Sequence, residues 1–144
     1  MGRILAVDPG TRRVGLAMTD PLKLIASPLH SISFSSEDRL VKDLLALIRA
    51  QGVERVVVGL PIREDGSEGE GCQRARSLAG RLQGNGIQVT LWDERYSSRE
   101  AENTLREMGL NRKQSIGRID QIAAAIILED YLRSVSSSTG PAPR

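Results

Sequence analysis

Acidic residues stand at the ends of three apolar segments of the chain. Asp8 follows the first strand-like run, Asp93 and Glu94 follow the last one, and Asp120 opens an alanine-rich helical segment. A carboxylate loses free energy where apolar neighbours remove its water, so three such positions favour a shared cation. Oxygen ligands of this kind suit Mg²⁺ or Mn²⁺, and such a site most often serves phosphodiester chemistry.

Each acid also has a simpler explanation. Asp8 precedes Pro9 and Gly10, which is a common turn sequence. Asp120 shares a helix face with the apolar residues Ala124 and Ile127, but an acid in a first helical turn is favoured by the helix dipole alone. If the functional interpretation holds, we expect the carboxylates to lie within about 5–8 Å of one another, close enough to share metal ions.

The pair Asp93-Glu94 leaves its roles open. Strand alternation puts Asp93 on the face of Leu91 and Glu94 on the face of Trp92. The predicted strand ends at this point, so alternation does not decide which acid would face a metal ion. We expect the other acid of the pair to form an ion pair with a neighbouring arginine.

Several basic residues flank the acids in sequence and are placed to contact a phosphate backbone. Two lie next to Asp8 and three precede Asp120, and the candidate nucleic-acid contacts are therefore Arg12, Arg13, Arg112, Lys113 and Arg118. The remaining lysines and arginines are interpreted as solvated helix faces.

Composition excludes several classes of protein. His30 is the only histidine and Cys72 the only cysteine, which argues against a zinc site, a disulfide and a Ser-His-Asp triad. Aromatic residues make up 3% of the chain, too few for an extended base-stacking surface, and the net charge of +2 is compatible with a nucleic-acid partner. With no membrane-length apolar stretch and no targeting segment, the expected compartment is the cytoplasm.

The 144 residues fit one domain of the α/β class. Hydrophobic periodicity predicts the order β-β-β-α-β-α-β-α-α, which gives a mixed five-stranded sheet, an antiparallel meander plus parallel strands, flanked by helices. Such sheets bind ligands at the carboxyl ends of their strands. The predicted domain spans residues 1–135, and residues 136–144, rich in Ser, Pro and Gly, are expected to form a disordered tail.

Five short motifs occur in an order that resembles the YqgF family, also called RuvX, the bacterial relatives of the RuvC Holliday-junction resolvase. They cover about residues 3 to 133 and are Asp8-Pro9-Gly10-Thr11 with Gly15, Val58-Gly59-Leu60-Pro61, Asp65-Gly66-Ser67-Glu68-Gly69, Asp93-Glu94-Arg95-Tyr96-Ser97-Ser98 and Ile119-Asp120-Gln121-Ile122-Ala123-Ala124. One departure concerns the fourth strand. RuvC resolvases have an acid at its end, where this chain has Gly59 and Leu60, and the Asp93-Glu94 pair on the next strand is the candidate replacement.

The resemblance implies an RNase H-like fold and a cytoplasmic nuclease that matures the 5′ end of precursor 16S rRNA. It also implies a metal site at Asp8, at Glu94 or Asp93, and at Asp120, with Mg²⁺ or Mn²⁺ as cofactor. The expected partner is structured RNA, with a DNA junction as an alternative, bound by a monomer or homodimer. Two other functions remain open: a non-catalytic nucleic-acid or ribosome-associated factor and a Holliday-junction resolvase. An actin-like ATPase is disfavoured because the chain has room for one such domain and lacks a second phosphate motif.

Overall fold

The structure is a computed structural model that describes residues 2–10, 12–96, 103, 107 and 119–137, with the side chains of residues 96, 119–121, 136 and 137 excepted. The described elements are strands and helices in the order β1 (Arg3–Pro9), β2 (Arg13–Thr19), β3 (Ala26–Ser33), α1 (Glu37–Gln51), β4 (Val53–Leu60), α2 (Glu70–Gly84), β5 (Val89–Asp93), a 3₁₀ turn (Glu94–Tyr96) and α3 (Ile119–Ser137).

The five strands form one mixed sheet in the order β3-β2-β1-β4-β5. The first three strands pair antiparallel, whereas β4 pairs parallel with β1 and β5 pairs parallel with β4. The predicted mixed sheet is therefore confirmed. The strands β1, β4 and β5 run in the same direction, so their carboxyl ends lie along one edge of the sheet, and β4 lies between the two strands that end in acids.

Alternation along β1 divides the core into two layers. Leu5 and Val7 belong to the cluster that packs against α1 and α2, whereas Ile4 and Ala6 belong to the cluster that packs against α3. The side chains of β1 are buried on both faces of the sheet, as is usual for the central strand of a sheet covered by helices. We refer to the two sides as the α1/α2 face and the α3 face.

The hydrophobic pattern predicts the third strand over Leu24–Ile32, and in the structure this strand begins two residues later, at Ala26. The carboxylate of Asp20 accepts the backbone N–H groups of Leu22, Leu24 and Ile25 at 3.0, 2.9 and 2.7 Å, which holds this segment in a turn. Side-chain bonds of this kind compete with strand pairing. The β-branched and aliphatic residues that suggested an earlier start, Leu24 and Ile25, are consequently exposed.

The other boundaries shift by a few residues. The sequence pattern predicts β1 over Arg3–Val7 and β5 over Ile87–Trp92, whereas β1 runs through Asp8 to Pro9 and β5 begins at Val89. The helix α3 continues to Ser137, two residues into the segment expected to be a tail. A further helix, predicted from the capping sequence that begins at Ser97, lies outside the described residues except at two isolated helical positions. Within the part of the chain that the structure describes, no helix has the length and apolarity needed to cross a bilayer.

Candidate active site

Asp8 lies near the carboxyl end of β1 on the α3 face. It pairs with Gly15 of β2. Two residues earlier Ala6 pairs with Ala17, and one residue later Pro9 pairs with Val14. Since side chains alternate along the strand, Asp8 shares the face of Ala6, and Pro9 points to the opposite face. Its side chain is half-buried.

Glu94 approaches Asp8 from two strands away. It directly follows β5, and β4 lies between β5 and β1, so the side chains of Glu94 and Asp8 together bridge about 10 Å of sheet at about 4.8 Å per strand. Gly59 in β4 makes this possible. A Cβ atom at position 59 would lie 2.7 Å from Glu94 Oε2 and 2.7 Å from Ile127 Cδ1 of α3. The absence of a side chain at Gly59 therefore leaves the channel through which Glu94 reaches the Asp8 carboxyl.

The two carboxyl groups are in contact. Burial, the negative charge of Asp8 and a hydrogen bond to Asp8 together raise the pKa of Glu94 to about 8, with a smaller contribution from the charge of Asp93. Burial and the repulsion between two nearby carboxylates both favour the protonated form of Glu94. The predicted spacing of about 5–8 Å among the three carboxylates stays a prediction, because the side chain of Asp120 lies outside the described residues. Among the residues that the structure describes, the buried Oε2 atom of Glu94 has no hydrogen-bond partner.

Asp93 is the acid of the pair that binds an arginine. Its carboxylate accepts two hydrogen bonds from Arg95 Nε, at 3.1 and 3.0 Å, one from Arg95 Nη2 at 2.7 Å and one from the Arg95 backbone N–H at 2.9 Å. This pairing with Arg95 lowers the pKa of Asp93. The structure therefore pairs Asp93 with an arginine and leaves Glu94 to face Asp8, on opposite sides of the strand end.

Asp120 lies in the first turn of α3, and its side chain is outside the described residues. The residues after it bring this helix close to the sheet: Ala124 and Ala125 are fully buried in the cluster of the α3 face. Among the side chains that the structure describes, no group of three His, Cys, Asp or Glu is placed to hold a metal ion. Asp120 as a third ligand stays a prediction.

Of the predicted phosphate contacts, Arg12 and Arg13 lie in the β1–β2 hairpin next to Asp8, and both are exposed. The hairpin is fixed by the bond from the Gly10 backbone N–H to the Arg13 carbonyl, at 3.0 Å, and by the bond from Phe34 N–H to the Arg12 carbonyl, at 2.8 Å. The other three candidates, Arg112, Lys113 and Arg118, lie outside the described residues.

Two interactions near the site were missed from the sequence. The first is the role of Gly59, although a glycine that interrupts the apolar run of a central strand is a recognised sign that another group approaches the backbone closely. The second anchors β5 to α3. Trp92 Nε1 donates to Asp130 Oδ2 at 3.2 Å, and the Trp92 and Tyr131 rings meet edge to face with centroids 5.7 Å apart. The sequence favours a packing role for Trp92 over a base-stacking one, and these contacts confirm it, whereas its buried partner Asp130 had no signal in the sequence.

Comparison with known proteins gives a consistent result. Residues 2–134 match the family model described as "RuvX: Holliday junction resolvase". A Syntrophus aciditrophicus protein is 37% identical over 140 residues, which cover 96% of this chain and 93% of that protein. A Chloroflexus aurantiacus protein is 40% identical over 130 residues, which cover 90% of this chain and 85% of that one. Both are described as "Putative pre-16S rRNA nuclease".

Solved structures resemble the fold at much lower sequence identity. Thermus thermophilus RuvC superposes with a TM-score of 0.62 at 16% identity, covering 94% of this chain and 97% of RuvC. The Fowlpox virus resolvase bound to Holliday junction DNA superposes with a TM-score of 0.55 at 12% identity, covering 92% of this chain and 98% of the resolvase. The predicted RNase H-like fold is confirmed by these similarities.

Proposed function

Since this chain belongs to the RuvX family, we propose that it is a divalent-metal-dependent nuclease that hydrolyses phosphodiester bonds in the maturation of the 5′ end of precursor 16S rRNA. One observation carries the chemical part of the proposal: Glu94 reaches across Gly59 to the carboxyl of Asp8 at the carboxyl edge of the sheet. The names of the relatives support the RNA substrate.

The acidic pair fits a hard divalent cation. Glu94 Oε2 is a buried acceptor without a partner among the described residues, and such an atom is costly unless a donor or a cation satisfies it. A divalent cation held by both carboxylates would favour their ionised forms, against the burial and the Asp8 charge that raise the pKa of Glu94. The residues proposed to hold Mg²⁺ or Mn²⁺ are Asp8 and Glu94, with Asp120 as the third ligand.

The residues of the proposed site bind the cation, leave space for it or orient its ligands. When bound, the cation supplies Lewis acidity for phosphodiester hydrolysis. Asp8 and Glu94 would hold the cation in their ionised forms from two strands, and Gly59 keeps the space between them clear. The Asp93–Arg95 ion pair holds the chain that follows β5 in the orientation that turns Glu94 toward Asp8.

Substrate binding is assigned to the basic residues around this edge. Arg12 and Arg13 are exposed beside Asp8 and are proposed to contact phosphates on one side of the scissile bond. Arg112, Lys113 and Arg118 are proposed for the other side. The proposed location is the cytoplasm, and the acting species is a monomer or homodimer.

A second candidate function is resolution of DNA junctions. The family model's description and the two resolvases of the same fold favour it, since the proposed metal site would serve either nucleic acid. A third reading, a ribosome-associated factor without catalysis, predicts binding without turnover.

The test is cleavage of 5′-labelled RNA that spans the 5′ end of 16S rRNA, beside a four-way DNA junction, with Mg²⁺, Mn²⁺ or EDTA. Cleavage of the RNA only with metal, lost in Asp8→Asn and kept in the matched surface variant Asp43→Asn, supports the proposal. Cleavage of the junction alone selects the resolvase. Binding of RNA with no cleavage under any metal contradicts the enzyme.

A further inference from the structure

A cavity of about 300 Å³ lies at the same edge of the sheet as Asp8 but on the opposite face. Pro9 and Gly10, the two residues after Asp8, form one side of it, and it extends between the starts of α1 and α2. This volume is at the small end of the range of ligand pockets. None of the roles proposed for the metal site uses it.

The walls of the cavity are mostly apolar. They include Phe34, Leu40 and Leu78, and the aromatic ring of Phe34 is half-buried. Such walls suit a flat ring system, which can stack on an aromatic side chain and lose its water against aliphatic ones.

One strong donor in the lining has no partner among the residues that the structure describes. Arg74 Nε is buried and makes no hydrogen bond to any of them, whereas Arg76, two residues further along α2, forms a close ion pair with Glu68 at 2.6 Å. The other charged residue of the lining, Glu37, already accepts hydrogen bonds from Ser77 and Arg81. The lining therefore offers an unused donor on a positively charged group, and a ligand for it needs a hydrogen-bond acceptor on its edge.

The cavity is within reach of a nucleic acid bound at Asp8. Consecutive Cα atoms are 3.8 Å apart, so Gly10 lies within about 8 Å of Asp8 along the chain, a distance that two or three nucleotides cover at about 3.4 Å each. The hairpin is tight at Gly10, because a Cβ atom there would lie 2.5 Å from the Arg13 carbonyl oxygen. No side chain therefore projects from this position. A strand whose phosphate lies at Asp8 can thus pass over Gly10 to the other face.

We propose that this cavity binds one unstacked nucleobase of the substrate, two or three nucleotides from the phosphate that is cut. The base stacks against Phe34 and the aliphatic wall, and an acceptor on its edge receives the hydrogen bond of Arg74 Nε. Enzymes that bind extruded bases use this combination of stacking and edge hydrogen bonds. The inference rests on the proposed nuclease function for the identity of the ligand.

The test measures binding without cleavage, so that it stands apart from the nuclease assay. Nucleoside monophosphates with each of the four RNA bases are titrated in EDTA into protein labelled at its methyl groups, with ribose 5-phosphate as the probe that lacks a base. We expect the methyl resonances of Val14, Leu40 and Leu78 to shift with at least one base-bearing probe and not with ribose 5-phosphate.

Matched variants locate the contact. Arg74→Lys keeps the charge but removes the Nε donor, and we expect it to weaken nucleotide binding about tenfold, the effect of a hydrogen bond to a charged group. Arg76→Lys is the same change on an arginine that already has a partner, and binding should not change. Phe34→Leu should also weaken binding, because it removes the stacking surface.

Two results would overturn the inference. Equal shifts with ribose 5-phosphate would make the cavity a phosphate site, and no shift with any probe would leave it without a base ligand. Both could occur in a protein that cleaves RNA normally. Conversely, base binding in a protein that cleaves nothing would contradict the nuclease proposal and leave the cavity assignment intact.

Discussion

Glu94 is the residue on which the acidic pair depends, because only a long acidic side chain spans the strand between β5 and β1. Its carboxyl meets Asp8 in a half-buried environment and has its pKa raised to about 8. Asp93, one residue earlier, is held by Arg95 on the other side of the strand end. Adjacent acids of similar chemistry thus have different roles, which follow from the direction of each side chain.

The raised pKa predicts an unusual pH dependence of stability in the metal-free protein. Below pH about 4.5 Glu94 carries its proton both folded and unfolded. Between about 4.5 and 8 the folded state keeps a proton that the unfolded chain releases, so this group lowers stability as pH rises. Above 8 the cost is constant. Denaturant unfolding in EDTA should show that Glu94→Gln is more stable than the parent at pH 8.5 by about 1–2 kcal/mol, a size that allows for partial solvation.

At pH 4 the same two proteins should be nearly equal in stability. Asp43→Asn, an exposed change in α1, is the control and should show no such pH-dependent difference. A stability gap between Glu94→Gln and the parent that stays the same from pH 4 to pH 8.5 would contradict the assigned protonation.

Substitutions at Glu94 and at Asp93 are expected to affect RNA cleavage differently, because only Glu94 needs its long side chain. Glu94→Asp keeps the charge but shortens the reach, and a displacement of about 1 Å at a reacting centre costs on the order of 100-fold in rate. We therefore expect RNA cleavage to fall about 100-fold or more in Glu94→Asp. Asp93→Asn should keep cleavage within several-fold, with a loss of about 1 kcal/mol in stability from the ion pair. The reverse order of the two effects would make Asp93 the functional acid.

At the scale of elements, the site is built by one glycine in a central strand and one helix packed over it. Gly59 leaves the space that Glu94 and Ile127 of α3 both approach, and the small residues Ala124 and Ala125 let α3 lie close to the sheet. The strand β4 therefore contributes to the site by having no side chain at this position, rather than by supplying a ligand.

Gly59→Ala tests this element directly. The added methyl group would overlap Glu94 Oε2 and Ile127 Cδ1, so we expect at least a tenfold loss of cleavage and about 1–3 kcal/mol of destabilisation from overpacking. Gly80→Ala is the matched control in α2, where a Cβ atom meets nothing within 4 Å. That variant should gain up to about 1 kcal/mol from helix propensity and keep its activity. Full activity in Gly59→Ala would show that Glu94 acts without crossing β4.

Periodicity in the sequence predicted the sheet and the helices over the described residues. Strand alternation predicted that Glu94 points to the same face as Trp92. In the structure Glu94 points to that face, although β5 has already ended. The contact between Glu94 and Asp8 could not be derived in this way, because it depends on β4 lying between their strands. The late start of β3 was also not predictable, since three backbone donors turn to the single carboxylate of Asp20.

At the scale of the whole molecule, charge placement matters more than net charge. The formal charge is only +2, yet Arg12 and Arg13 are both exposed in the hairpin beside the acidic pair. A local basic group next to a catalytic edge can hold a phosphate backbone even when the protein as a whole is nearly neutral.

Salt dependence of binding tests this placement. If Arg12 and Arg13 each neutralise a phosphate, changing both to Ala should flatten the log–log dependence of affinity on salt by about 1.4, given about 0.7 per phosphate on single strands. Lys42→Ala with Arg49→Ala removes the same charge from the exposed surface of α1 and should leave the slope nearly unchanged. Equal slopes for the Arg12/Arg13 variant and the parent would place the nucleic acid elsewhere, with Arg112, Lys113 and Arg118 as the next candidates.

The most direct test of the central claim is anomalous diffraction from crystals grown with Mn²⁺ at a pH above 8, where Glu94 gives up its proton. We expect an anomalous peak between the carboxylates of Asp8 and Glu94, above Gly59. This peak should be absent from crystals of Asp8→Asn. The same map would show whether Asp120 completes the site. Saturating Mn²⁺ with no peak at this position, and with Glu94 still bonded directly to Asp8, would contradict the account.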